Sequence, residues 1–254
     1  MRSFTLSGDQ GNLLYHNIPG VGVPLIFIHG LGCASSCDYP RVACDPALAG
    51  RRMVLIDLLG FGFSDRPAGF GYTIDDHART LVELLSELAP ESLDLFGHSM
   101  GGSVAIVAAS LIGDRVRNLV LSEPNLDPGG GFYSRKVAAM NERDYVAYGH
   151  EALVRTSKSD GDGIWAASLS VSAPHAVHRG AISLVAGGKP AWRELLLGMA
   201  MPRTVIFGEN SLPDEDTQRL PQQGINISVV PQAGHSMAWE NPAGLANSLR
   251  EALS

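Results

Sequence analysis

The sequence predicts an α/β domain, a mostly parallel sheet with helices on both faces, from three observations. Short apolar runs recur along the chain at Pro24 to His29, Met53 to Leu58, Leu93 to Phe96, Asn118 to Leu121, Thr204 to Phe207 and Ile225 to Val230. Runs of continuous rather than alternating hydrophobicity belong to strands buried on both faces. Helical segments separate most of these runs, and strand-helix alternation of that kind gives a parallel sheet. Finally, Gly97-His98-Ser99-Met100-Gly101 joins the run ending at Phe96 to the helical stretch Ser103 to Ile112, a sharp strand-to-helix turn with serine at its apex.

Individual elements carry their own start and stop signals. Ser3 to Leu6 and Leu13 to Asn17, separated by a turn containing Gly8 and Gly11, read as an antiparallel hairpin. Thr73 followed by Asp76 opens a helix over Ile74 to Leu88 as a capping box, with Ile74, Ala78, Leu81, Leu85 and Leu88 on one face and Pro90 as its terminator. Asn241-Pro242 reads as an N-cap with proline at the first helical position, starting a terminal helix through Leu245, Leu249 and Leu253.

One stretch departs from the alternation. Residues 126–201 lack strand patterns and carry Gly129-Gly130-Gly131 and several helical patches. The expectation is an α/β core formed by residues 1–125 and 202–254, with 126–201 inserted between the sixth and seventh strands as a helical cap over the carboxyl ends of the strands, where ligands bind. Its aromatic and methionine residues, which include Tyr145, Tyr148 and Met199, mostly hold the cap to the core; Phe132, Tyr133, Met140, Trp165 and Trp192 are the expected substrate contacts.

Composition bounds the function. A length of 254 residues with 45% hydrophobic and 18% charged residues suits one globular domain. The formal net charge of -7 argues against a nucleic-acid partner. No stretch approaches the roughly 18 apolar residues of a membrane span, and the first residues lack the apolar centre of a signal peptide, so a cytoplasmic protein with no membrane partner is expected. Cys33, Cys37 and Cys44 are odd in number and read as free thiols. No metal or cofactor is expected; the partner is a small-molecule substrate, and the chain is expected to be a monomer or homodimer.

The chemistry-bearing motifs follow in chain order. His29-Gly30-Leu31-Gly32 closes the third strand with glycines that let backbone amides turn toward the serine. Acyl chemistry needs preorganised N–H donors for a developing oxyanion, and the amides of Leu31 and Met100 are the expected pair. His29 itself reads as a structural hydrogen-bonding residue. Ser99 is the candidate nucleophile. His235, in Gly234-His235-Ser236, lies between the last strand and the terminal helix, where a neutral imidazole can reach the serine hydroxyl as general base.

Together His29-Gly30, Asp57-Leu58-Leu59-Gly60-Phe61-Gly62-Phe63-Ser64, the Ser99 turn and Gly234-His235 resemble the α/β-hydrolase family over nearly the whole chain. The resemblance implies an eight-stranded sheet with an antiparallel second strand and a Ser-acid-His triad. It also disfavours the dehalogenase and epoxide hydrolase chemistry of relatives that carry aspartate where this chain has Ser99. The acid departs from the commonest family pattern, because the expected position after the seventh strand is Ser211. Glu123, at the end of the sixth strand where some members carry their acid, is the choice; Asp214 is the alternative, with Glu209 behind it. The expected function is a serine hydrolase acting through an acyl-enzyme on a small to medium ester, lactone or related acyl compound with an apolar part. Carbon-carbon bond hydrolysis of a diketone-type substrate, and a ligand receptor with slow or no turnover, remain the alternatives.

Overall fold

Successive side chains of a strand point to opposite faces, and the third apolar run shows what that does here. Leu25 and Phe27 join a core with Met53, Leu55, Phe96, Val120, Ile206, Leu245 and Leu249 on one face, while Ile26 and Ile28 join Val54, Ile56, Leu81, Leu95 and Val104 on the other. The computed structural model describes residues 1–8, 10–89 and 91–254. In it eight strands, β1 (Arg2–Thr5), β2 (Asn12–Ile18), β3 (Val21–Ile28), β4 (Arg51–Asp57), β5 (Leu93–His98), β6 (Val116–Ser122), β7 (Arg203–Gly208) and β8 (Asn226–Val230), form one sheet in the order β1-β2-β4-β3-β5-β6-β7-β8. β2 is antiparallel to β1 and β4, and all other pairs are parallel.

That order contains a reversal. The chain builds β4 on one side of β3 and then β5 on the other, so connections leave the carboxyl ends of β3 and β5 in opposite directions and open a crevice there. The loop beginning at His29 and the turn at Ser99 both start at this crevice.

The helices start where their signals place them. Thr73 and Asp76 form the reciprocal capping box, at 3.1 and 3.2 Å, and the helix runs Ile74–Leu88 with Ile74, Ala78, Leu81 and Leu85 buried. Its expected terminator, Pro90, lies outside the described residues. Asn241 accepts the Gly244 N–H at 2.8 Å and Pro242 opens the last helix, Pro242–Ala252.

Between β6 and β7 the described residues form helices and no strand, the main ones being Phe132–Ala138, His150–Ser159, Gly163–Ser170, Pro174–Ala186 and Trp192–Gly198. Charged hydrogen bonds fasten this segment down. Arg179 grips Glu142 and donates to the Ala68 and Phe70 carbonyls, and Arg193 spans the carboxylates of Asp127 and Asp216. Among the described residues no helix is long and apolar enough to cross a membrane.

The turn at Ser99 is a place of very close backbone approach. A side-chain carbon at Gly97 would collide with the Gly101 carbonyl, and one at Gly101 with the carbonyls of Ile28 and His29. Glycine at both positions lets the helix Met100–Ile112 start directly on β3 and β5. We expect Gly101→Ala to lower stability by about 1–3 kcal/mol through forced displacement of packed backbone; a urea unfolding midpoint equal to wild type would contradict the close approach.

Candidate active site

Ser99 adopts φ 51 and ψ -119. A non-glycine residue there carries strain on the order of 1–3 kcal/mol, which persists only where the surroundings over-determine it. Its N–H donates to the Ser122 carbonyl at 2.9 Å, anchoring the turn to β6. Met100 follows as the first helical residue, so its N–H has no carbonyl partner within the helix. Across the crevice Gly30 approaches Ser99 so closely that a side-chain carbon on it would lie 3.4 Å from the serine Cβ. Neither the Leu31 nor the Met100 amide donates to another described residue.

His29 is structural, as its position suggests. The Leu58 N–H donates to its Nε2 at 3.0 Å, which leaves Nδ1 to carry the proton and donate to the Gly30 carbonyl at 2.8 Å. Burial lowers its pKa, so the ring holds the start of the Leu31 loop as a neutral group.

Glu123 stands one residue beyond β6, also at positive φ (41). Its N–H donates to the Ile206 carbonyl of β7 at 3.1 Å, and one carboxylate oxygen accepts the Gly208 N–H at 2.9 Å. The other oxygen accepts from His235 Nδ1 at 2.6 Å. A carboxylate can only accept, so Nδ1 carries a proton, and in the neutral imidazole Nε2 then presents the lone pair. Burial alone would raise the Glu123 pKa, but the His235 hydrogen bond and charge, the Gly208 amide and the Ser211 hydroxyl outweigh it and hold the carboxyl at about 2. Ser211 stands at the position where the commonest family pattern has the acid.

A further histidine completes the arrangement. The His98 ring lies 4.6 Å from the His235 ring, centroid to centroid, and its Nδ1 meets the Ser122 hydroxyl at 2.9 Å. Burial, with His235 beside it, pushes His98 down to about 3, so it supports the His235 ring as a neutral plate. The sequence offered only its adjacency to Ser99 as a signal.

Ser99, His235, Glu123 and Leu31 line one cavity of about 360 Å3. Phe132, Tyr133, Trp165 and Leu184 form its apolar wall. Trp165 packs on Tyr133 at 4.2 Å between ring centroids and donates its indole N–H to the Leu31 carbonyl at 2.9 Å, so the helical segment holds the loop that carries Leu31. Asn125, Cys33 and Asp162 also reach this cavity and carried no distinguishing signal in the sequence.

Three expectations need correction. Asp214, the alternative acid, accepts the Asp216 N–H within its own loop and does not reach His235; Glu209 likewise turns away, to the Gln232 N–H. Met140 packs on Gly149 instead of lining the cavity, and its carbonyl accepts from His178. Trp192 is 1% exposed, inside the core against Gly188. Tyr145, hydrogen-bonded to His150, belongs to the same interior. The physical reason is common: in a layer of short helices, most large apolar side chains point back to the layer below.

The depressed Glu123 pKa has a stability consequence. A carboxyl held below its ordinary 4.5 stabilises the fold above that value, and this contribution fades as pH falls toward about 2. We expect Glu123→Gln to unfold at lower urea than wild type at pH 6, with the gap narrowing as pH drops from 4.5 toward 2; a pH-independent gap over that range would contradict the ion pair.

Comparison with known proteins agrees with this geometry. A family model described as alpha/beta hydrolase fold matches residues 23–145. The chain is 42% identical over 124 residues to 2-hydroxymuconate semialdehyde hydrolase from Pseudomonas sp. (strain CF600), covering 47% of this chain and 42% of that protein. Such alignments span less than half the length of the curated relatives. Likeness to solved structures extends over the whole chain. An esterase from Exiguobacterium antarcticum superposes with a TM-score of 0.83 at 19% identity, covering 100% of both chains. A thermophilic esterase from Thermogutta terrifontis gives 0.79 at 22% identity, covering 99% of this chain and 97% of that one. Sequence match over residues 23–145 and whole-chain superposition lead to the fold that the sheet order and the turn at Ser99 already indicated: the chain has the α/β-hydrolase fold.

Proposed function

We propose that the protein is a serine hydrolase that cleaves a small to medium carboxylic ester, lactone or related acyl compound with an apolar part, through an acyl-enzyme. The observation that carries this reading is the 2.6 Å hydrogen bond from His235 to Glu123 at the wall of the cavity that Ser99 also lines. Ser99 Oγ attacks the acyl carbon while its proton passes to His235 Nε2. The carbonyl oxygen becomes an oxyanion held by the Leu31 and Met100 amides, and Glu123 stabilises the imidazolium. Collapse of the tetrahedral species breaks the bond to the leaving alcohol, which takes the proton from His235. Water then attacks the acyl-enzyme, giving its proton to His235, and the acid leaves as Ser99 regains a proton. His235 is 54% exposed, which gives that water a route to the base.

The apolar wall of Phe132, Tyr133, Trp165 and Leu184 supports an apolar acyl portion. In this reading the segment 126–201 acts as the cap whose residues choose the substrate. Carbon-carbon bond hydrolysis is the second reading, supported by the 42% identity to 2-hydroxymuconate semialdehyde hydrolase. Product analysis separates the two, because only ester cleavage releases an alcohol.

With p-nitrophenyl esters of graded chain length, Ser99→Ala is expected to lower kcat on the order of 10⁴-fold or more while circular dichroism stays unchanged. Substantial residual kcat would remove Ser99 as nucleophile. In the same assay Glu123→Gln is expected to cost on the order of 10³-fold and Asp214→Asn nothing measurable; the reverse ranking would move the acid to the later loop.

A further inference from the structure

A second cavity, of about 190 Å3, is also lined by His235. Six residues, Cys33, His98, Asp162, Trp165, His235 and Ser236, line both cavities, whereas Ser99, Leu31 and Glu123 line only the larger one. Chemistry assigns the two spaces. The carbonyl oxygen must face the Leu31 amide, which places the acyl group in the larger cavity. The leaving oxygen must take its proton from His235, which places the departing group on the side that His235 shares with the smaller one.

The smaller cavity has a distinct electrostatic character. Its lining includes the indoles of Trp165 and Trp239 and the carboxylates of Asp38, Asp162 and Glu240, and among the described residues neither cavity is lined by lysine or arginine. Asp38 is the telling member. It is only 7% exposed and accepts the Trp239 indole N–H at 3.0 Å, yet it has no cationic partner among the described residues. Asp162, which accepts the Tyr133 hydroxyl at 3.2 Å, has none either. A buried carboxylate normally pairs with a cation, because desolvation otherwise disfavours its charge. Burial does raise the Asp38 pKa, the direction that a bound cation would reverse. Trp165 and Trp239 in the lining add aromatic attraction for a cation of low hydration, the chemistry by which aromatic side chains recognise quaternary ammonium groups.

We propose that the smaller cavity is a leaving-group subsite for an alkylammonium, so that the preferred substrates are esters of amino alcohols, with Asp38 and Asp162 supplying the counter-charge. This rests on the assignment of Ser99 and His235 as the hydrolytic machinery. The ammonium keeps its charge throughout, and the only proton the alcohol gains is the one from His235.

The test uses three butyrate esters sharing one acyl group: butyrylcholine, its neutral isostere 3,3-dimethylbutyl butyrate, and the butyrate ester of glycolic acid. We expect kcat/KM for butyrylcholine to exceed that for the isostere by about tenfold, with the anionic ester slowest. Asp38→Asn, which keeps an acceptor for Trp239, and Asp162→Asn on the more accessible loop are each expected to collapse the choline-to-isostere ratio toward one. Calorimetric titration of wild type and both variants with choline and with 3,3-dimethylbutanol gives a readout independent of turnover. Equal rates for the cationic and neutral esters would overturn the subsite and leave the hydrolase standing. Preferential choline binding that is lost in Asp162→Asn, without turnover of any ester, would support the subsite and overturn the hydrolytic reading. Equal binding of choline and its isostere would overturn the subsite whatever the kinetics.

Discussion

The hydrogen bond between Glu123 and His235 joins residues 112 positions apart, and most of the architecture serves to make it possible. β6 and β7 run parallel and adjacent, so the end of β6 lies against the end of β7, and Glu123 is clamped there by the Ile206 carbonyl and the Gly208 amide. β8 then pairs with β7 and delivers the following loop, with His235, to the same rim. Without the parallel register the carboxylate and the imidazole would sit at opposite edges of the sheet. Two residues at positive φ, Ser99 and Glu123, end neighbouring strands β5 and β6. Two of the four non-glycine residues at positive φ among the described residues thus lie where strands end at the crevice, a placement that rigid strands and packed helices on both faces can hold.

Much of this was legible before any coordinates, for identifiable reasons. Signals that act within a few residues read directly: Thr73 with Asp76 and Asn241 with Pro242 start helices because each cap side chain accepts from the backbone amide three residues on. The turn at Ser99 read equally well, since Gly97 and Gly101 are required by a local collision. Glu123 is read from a strand-end position, and it meets His235 because a strand end is a fixed place in a sheet, while the loop holding Asp214 satisfies its own amides.

The cavity wall was only half legible. Phe132, Tyr133 and Trp165 reach it, but Met140 and Trp192, chosen on the same chemical grounds, pack inward. Residue type states that a side chain wants burial and not which of two buried places it takes; that depends on the rotation of each short helix, fixed by tertiary hydrogen bonds such as Trp165 to the Leu31 carbonyl. The neutral His98 plate and the Ser211 hydroxyl were invisible for a similar reason, because each acts through a contact made across the sheet rim. The fold itself hosts many chemistries, so what distinguishes this chain lies in these rim contacts and in the charge of the space around them.

In the proposed function, the Glu123–His235 pair makes Ser99 a strongly nucleophilic hydroxyl. The most direct measurement is reaction with a fluorophosphonate followed by mass-spectrometric mapping of the modified peptide. The account predicts a single adduct, on Ser99, formed far more slowly when Glu123 is replaced by glutamine. An adduct on any other residue, or labelling of Ser99 at an undiminished rate without the Glu123 carboxylate, would contradict it.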